Sequence, residues 1–402
     1  MVNIYNMEQN NLYNLLVKGK HEEIKTKLFD ELSNIGTYCT KILGKGYFGT
    51  VFESPIGKTA SILIDKKKYD IDVVTKTTNH ADGIVKFHEV DKTLIIYGSY
   101  TITCEALMLF MISRLWYQGL NLHLPFMVGF NMCNSIVIKS IILEKHGFSE
   151  LILIDTSNYN ILPFKYINTL KNYTSYLTTA QNLFDYLLVN INDDLNCKLF
   201  NDEIVNLPNV IDNFCIFYLH TSAFLWNTLK MTLNDQHTNN IFIQWLKPEH
   251  ICGKKKIGTI KHIYYQINKD KFIKIDVNTF IFKIGDIGCN FMVLPNDVII
   301  VGDLLVPEKV DNILLYKTKI YTYMDALHGL FTNIPLHVLN KTKIFQYLLN
   351  SKEMSNFIPF LGYKKEYHES LPDELQLLEN VYSDIITKKP DSNDDNFIVL
   401  LD

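Results

Sequence analysis

The sequence predicts an α+β protein built as two lobes, the first rich in strands with a single helix, the second mainly helical. Three observations predict it. The 402 residues, 47% of them hydrophobic, suffice to bury one or two substantial cores. From Tyr38 to about Asp155, short alternating segments are broken by Gly, Pro and Asn and interrupted by one helix-length apolar run, TCEALMLFMISRLWYQG. From about Ala180, longer helical runs take over, AQNLFDYLLVNI and NVIDNFCIFYLHTSAFLWNTLKM, with a return to strands between about Ile260 and Val293. The expected divisions are a helical N-terminal extension over 1–35, the strand-rich lobe over 36–155, the helical lobe over 156–385 and an acidic tail over 386–402.

Composition narrows the functional classes. No apolar run reaches the roughly 18 residues a membrane helix needs, and the first twenty residues lack the basic-then-apolar order of a secretory signal, so an intracellular protein without a membrane span is expected. Seven cysteines, an odd number without CxxC spacing, favour reduced thiols over a disulfide framework. A formal charge of −4 argues against nucleic acid as the partner. His250 and Cys252 stand two residues apart with no second pair at finger-like spacing, which argues against zinc.

The chain opens on a mixed-charge segment, Gln9 to Leu32, whose Leu12, Leu15, Leu16, Ile24, Leu28 and Leu32 fall roughly on one helical face, so it is expected to pack on another element. KILGKGYFGTVFE follows, with Gly44, Gly46 and Gly49 in the spacing G-x-G-x-x-G-x-V ahead of Val51. Glycines there, with Lys45 between the first two, let backbone N–H groups approach phosphate oxygens. A plain hairpin has the same look. A dinucleotide turn does not fit, because TVFES after Gly49 reads as a strand where that motif needs a helix.

A phosphate-binding turn between strands demands a lysine on the next strand and a carboxylate to hold it. YDIDVVTKTT places Lys76 at the end of an alternating strand, and the helix beginning near Thr103, a candidate N-cap, carries Glu105 in its first turn. The rest of that helix is apolar nearly all round, so Glu105 needs a partner. Further on, LNDQHTNNIFI sets Asp235 five residues before Asn240 at the end of a long apolar helix. A carboxylate that accepts a hydroxyl proton and an amide that ligates a metal have this D-x-x-x-x-N spacing in phosphotransferases. FIFKIGDIGCN then supplies Asp286, Ile287 and Gly288, the first a candidate magnesium ligand and the last a residue that allows a sharp turn.

The order of GKGYFG, VVTK, TCEA, NDQHTNN and IYYQINKDKF…FIFKIGDIG resembles the eukaryotic-type protein kinases, and within them the divergent serine/threonine kinases of large nucleocytoplasmic DNA viruses, iridoviruses among them. The resemblance runs from about Gly36 to Phe331. It implies a bilobal kinase fold and a serine/threonine protein kinase that uses ATP and Mg²⁺ on virion or host proteins, in the host cytoplasm or the virion. It also implies that Gly44, Lys45, Gly46, Gly49 and Val51 cover ATP, that Lys76 contacts its phosphates and is anchored by Glu105, that Asp235 is the base, and that Asn240 and Asp286 hold the metal. Leu233 stands where the family has His, Ile287 where it has Phe, and no A-P-E follows; both replacements are apolar and keep a packing role. These departures leave a pseudokinase scaffold open, and His237, two residues after the base, leaves a small-molecule phosphotransferase open. The adenine-contacting strand is either IILEK, Ile141 to Lys145, or ILID, Ile152 to Asp155.

After Gly288, CNFMVLPNDVIIVGD holds no Ser, Thr or Tyr, and Asn234 precedes Asp235 where many kinases carry an arginine. The expectation is a segment ordered by apolar packing of Phe291, Met292, Val293 and Leu294 rather than by a phosphate. The lysine-rich stretch from Lys254 to Lys274 reads as a solvated hairpin, with a docking surface as the alternative, and KKPDSNDDNFIVLLD as a polar linker ending in a docking strand.

Overall fold

In chain order the first half forms β1 (Ile4–Tyr5), α1 (Asn11–Lys18), α2 (His21–Ser33), β2 (Lys41–Lys45), β3 (Gly49–Glu53), β4 (Thr59–Ile64), β5 (Lys67–Thr78), β6 (Lys86–Val90), β7 (Thr93–Tyr97), α3 (Ile102–Tyr117), β8 (Met127–Met132) and β9 (Lys139–Glu144). The second half forms α4 (Ala180–Asn190), β10 (Asn196–Lys198), β11 (Ile204–Asn206), α5 (Leu207–Leu229), β12 (Ile241–Trp245), β13 (Ile251–Cys252), β14 (Lys255–Lys256), β15 (His262–Asn268), β16 (Lys271–Asp276), β17 (Phe280–Ile284), β18 (Phe291–Leu294) and β19 (Val298–Val301). It closes with α6 (Tyr323–Phe331), α7 (Leu336–Leu339), α8 (Lys343–Asn350), α9 (Glu374–Val381), β20 (Ile386–Thr387) and β21 (Asn396–Val399). This computed structural model describes residues 4–5, 11–33, 41–45, 49–53, 59–64, 66–78, 85–98, 102–132, 139–144, 179–199, 201–234, 236–302, 323–351, 373–391, 393 and 395–401. The architecture is α+β, with several small sheets.

Three sheets have four or more strands among the described residues. In the first, the N-terminal half of β5 pairs with β4, and its C-terminal half lies between β3 and β9, giving the order β2-β3-β5-β9-β8 with neighbours antiparallel. The second has the order β18-β19-β7-β6; β19 runs parallel to β7, with Val298 opposite Leu94 and Val301 opposite Tyr97. The third has the order β20-β16-β15-β21. Its central hairpin is the lysine-rich stretch, and here the structure corrects the expectation of a solvated hairpin. β15 is buried from Ile263 to Ile267, because β21 and β20 cover both edges and His220 of α5 reaches across to the Gln266 carbonyl, 2.7 Å from Nε2. The lysines of the stretch stay at its rim, Lys269 and Lys271 exposed and Lys274 half-buried. The docking strand expected near the tail is β21, parallel to β15.

The helices follow their apolar faces. Leu12, Leu15, Leu16, Ile24, Leu28 and Leu32 are all buried, but on two helices, since Gly19 ends α1 with its N–H on the Leu15 carbonyl at 3.0 Å. The pair does pack on other elements. The Arg114 guanidinium lies 3.6 Å from the centroid of the Tyr13 ring, and Phe29 meets Phe87 of β6 edge-on at 6.4 Å. α5 is capped by Asn206, whose side chain accepts the Asn209 N–H, and ends at Lys230, which turns left-handed at φ 47°. Between them it is buried nearly all round, with Phe214 and Phe217 packed on Phe282 of β17. Among the described residues, Cys104, Cys197, Cys215, Cys252 and Cys289 are free thiols, and no helix is long and apolar enough to cross a membrane.

Candidate functional site

Lys76 sits near the end of β5, where the ladder places Val51 of β3 on one side and Ile141 of β9 on the other. IILE is therefore the strand beside the lysine, while 152–155 lies outside the described residues. β2 and β3 pair across the glycine-rich turn, with Gly44 opposite Val51 and Lys45 opposite Thr50 and a shift of register after Ile42. Gly49 opens β3; Gly46 lies outside the described residues.

The Lys76 side chain, 15% exposed, crosses to α3, its Nζ 2.8 and 2.9 Å from the two oxygens of Glu105. Glu105 is in the first turn of α3 and 6% exposed; Thr103 lies inside the helix rather than capping it. The same Nζ is 3.2 Å from Asp286 Oδ2. Burial opposes the charge on Lys76, but the Asp286 and Glu105 carboxylates prevail and hold its pKa above the ordinary value. For Asp286, burial pushes upward and is outweighed by Lys76 and by the Gly288 N–H, which donates to Oδ1 at 3.0 Å, so the carboxyl is held below its ordinary value. One ammonium thus joins the strand-borne, helix-borne and turn-borne parts of the pattern.

The turn is set by the β12–β17 pair. Ile241 stands opposite Ile284, and one residue further the Gly285 N–H donates to the Asn240 carbonyl at 2.8 Å. A Cβ at Gly285 would lie 2.3 Å from that carbonyl oxygen, so only glycine allows the approach that brings Asn240 beside Asp286. Gly288 lies in the sharp turn expected there, closed by the Asn290 N–H on the Ile287 carbonyl at 3.1 Å, and makes it without a positive φ. What it supplies is room, since a Cβ there would lie 3.3 Å from Asp286 Oδ1 and 3.5 Å from Glu105 Oε2. Leu233 and Ile287 are buried at 1% and 0%, the packing role expected of them. Asp235 lies outside the described residues, but both its neighbours are placed. Asn234 donates its backbone N–H to Asn290 Oδ1 at 2.5 Å, and Gln236 donates Nε2 to the Asp286 carbonyl. His237 is exposed and caps the single helical turn Thr238–Asn240.

Chemically, the site offers a cation held between carboxylates and, on adjoining strand ends, the half-exposed Asp286 carboxylate and Asn240, whose main-chain carbonyl is hydrogen-bonded to the residue before Asp286. That hard, all-oxygen donor set fits Mg²⁺, which is bound by one or two protein oxygens and completed by phosphates and water. Among the described residues no group of three or more His, Cys, Asp or Glu forms a metal cluster. His250 and Cys252 are used otherwise: Nδ1 of the first accepts the Lys247 N–H at 3.1 Å, and the thiol of the second donates to the Trp116 carbonyl at 3.6 Å.

Two residues absent from the sequence reading belong to this site, Gln236 and Asn290. The one signal for them is polarity out of place, an amide inside the buried stretch that follows Ile287 and another between Asp235 and His237. Compared with known proteins, the chain matches no family model and no curated protein.

Proposed function

We propose that the protein is a bilobal serine/threonine protein kinase that transfers the γ-phosphate of ATP to protein hydroxyls, with residues 36–155 as its nucleotide-binding lobe and 156–385 as its catalytic lobe. The observation that carries the reading is Lys76, paired with Glu105 at 2.8 Å and lying 3.2 Å from Asp286, on the strand next to the glycine-rich β2–β3 hairpin. Phosphoryl transfer asks for positioning and charge neutralisation, and each residue has a part in them. The turn from Gly44 to Gly49 covers the phosphates with backbone N–H groups, and Lys76 neutralises the α and β phosphates while Glu105 keeps it in place. Asn240 and Asp286 would hold Mg²⁺, whose positive charge would supply the neutralisation that the phosphate oxygens need. Asp235 accepts the proton of the attacking hydroxyl. Incubating purified protein with γ-labelled ATP, Mg²⁺ or Mn²⁺ and a panel of generic protein substrates tests the reading. Label on protein hydroxyls is the expected result. Nucleotide-dependent thermal stabilisation without transfer would replace it with a silent nucleotide-binding scaffold, and label on small molecules alone with a small-molecule phosphotransferase.

A further inference from the structure

We infer that Gln236 and Asn290 are positioning residues that fix the segment around Asp235 to the metal-binding turn through neutral amide hydrogen bonds; the inference rests on the phosphoryl-transfer reading. Alternate residues of one segment, 232, 234 and 236, all bond to the stretch 286–291. The Thr232 N–H donates to the Phe291 carbonyl at 3.3 Å, the Asn234 N–H to Asn290 Oδ1 at 2.5 Å and Asn234 Nδ2 to the Cys289 carbonyl at 3.4 Å. Gln236 Nε2 completes the series on the Asp286 carbonyl. Asn290 is itself pinned by main-chain bonds, its N–H on the Ile287 carbonyl at 3.1 Å and its carbonyl accepting the Gly302 N–H at 2.8 Å. The two residues flanking position 235 thus move only if the turn bearing Asp286 moves with them.

Both side chains are buried, Gln236 to 3% and Asn290 to 0% exposure, and each uses one end of its amide. Gln236 Oε1 and Asn290 Nδ2 have no partner among the described residues. A half-satisfied buried amide is costly, and a core chosen for stability alone would place an apolar side chain at either position. What each amide provides is a bond of fixed length between the two loops that must meet across the transferred phosphate. None of these bonds involves a charge or a phosphate.

Five variants of the full chain test this: Gln236→Leu, Asn290→Leu, Asn290→Asp, which keeps the acceptor for the Asn234 N–H, Gln236→Met and Asn290→Ser. Misplacing reacting groups by an ångström costs on the order of 100-fold, so kcat should fall by about 10- to 100-fold in Gln236→Leu and Asn290→Leu. A pure positioning loss leaves KM for ATP within about threefold and keeps the thermal shift on adding Mg-ATP. Asn290→Asp should recover most of the kcat lost in Asn290→Leu. Should the leucine variants fail to fold, Gln236→Met and Asn290→Ser carry the same expectation. Variants with lowered melting temperature but wild-type kcat, a rise in KM alone, or an Asn290→Asp as impaired as Asn290→Leu would each overturn the inference. A wild type that transfers no phosphate overturns the kinase reading and this inference together, whereas an active wild type with unimpaired variants overturns this one alone.

Discussion

At the scale of single residues, Lys76, Glu105 and Asp286 act as one unit, because a single ammonium lies within 3.2 Å of both carboxylates. On the proposed reading Glu105 acts by placing Lys76, so Lys76→Met should lower kcat/KM by about 100-fold or more and Glu105→Gln by less, and the double variant should be no worse than Lys76→Met, since residues that act together are non-additive. Steady-state kinetics of the four proteins decide it; losses that multiply would show that the pair acts independently. Asp286→Ala should abolish the thermal shift produced by Mg-ATP, because it removes the only carboxylate of the proposed metal pair. A shift equal to that of wild type would exclude Asp286 as the ligand. These residues were legible in the sequence because their chemistry makes demands on one another: a phosphate turn needs a lysine, and a lone acid on an apolar helix needs a cation. Gln236 and Asn290 were not legible, since a single amide in a loop has no period and no obligatory partner.

At the scale of elements, periodicity did most of the work. α3 and α5 show as long apolar runs, β5 as an alternating strand and β9 as a short apolar one. The parallel pairing of β19 with β7 does not show, because Val298 and its partner Leu94 lie in distant parts of the chain and nothing local encodes a parallel neighbour. Through this pairing the segment after Asp286 becomes part of a sheet whose other hairpin leads directly into α3. Ile95, Phe291, Ile299 and Val301 pack together there, with Tyr97, Val293 and Trp226 around them. α2 braces the far side: His21 and Lys25 are each 3.1 Å from Glu89, and Asn296 in the β18–β19 turn donates Nδ2 to the Gly19 carbonyl just before α2 at 3.2 Å. With order supplied by strand pairing and apolar contact, no phosphate is needed to form the segment. Treatment of freshly purified protein with a broad phosphatase should leave transfer activity within about twofold, there being no phosphate-dependent ordering to lose. Loss of most activity, regained on re-phosphorylation, would place a regulatory phosphate elsewhere in the chain.

At the scale of the whole molecule, two buried histidines link α5, β15, β17 and the loop after α3. His123 has its Nδ1 2.7 Å from the Phe282 carbonyl and its Nε2 2.6 Å from the Tyr265 hydroxyl, and burial lowers its pKa to about 3; burial likewise lowers that of His220 to about 4. Both are neutral in the folded protein, whereas the unfolded chain takes up their protons below its ordinary value of about 6.5. Stability is therefore complete above that pH and is lost as pH falls from it toward 4 and then 3, at up to about 1.4 kcal/mol per pH unit for each histidine. Thermal melts should show the midpoint falling between pH 7 and pH 5, and a His123→Gln variant should show a shallower fall; an unchanged pH slope would mean that His123 is not held neutral. That the chain mixes helices and strands was readable from the order of patterns, but the pairing of β21 with β15 was not, since the two strands lie 134 residues apart, as the Lys261–Asp395 ion pair spans. That distance matters during synthesis. A ribosome adding about 5–20 residues per second releases the β15–β16 hairpin with both edges bare, and residues 396–399 follow it only after roughly 6–25 s. For that interval the nascent chain presents a ready template for pairing with a neighbour. Lys269, Lys271 and Lys274, set along the hairpin, then act as guards of an unfinished edge.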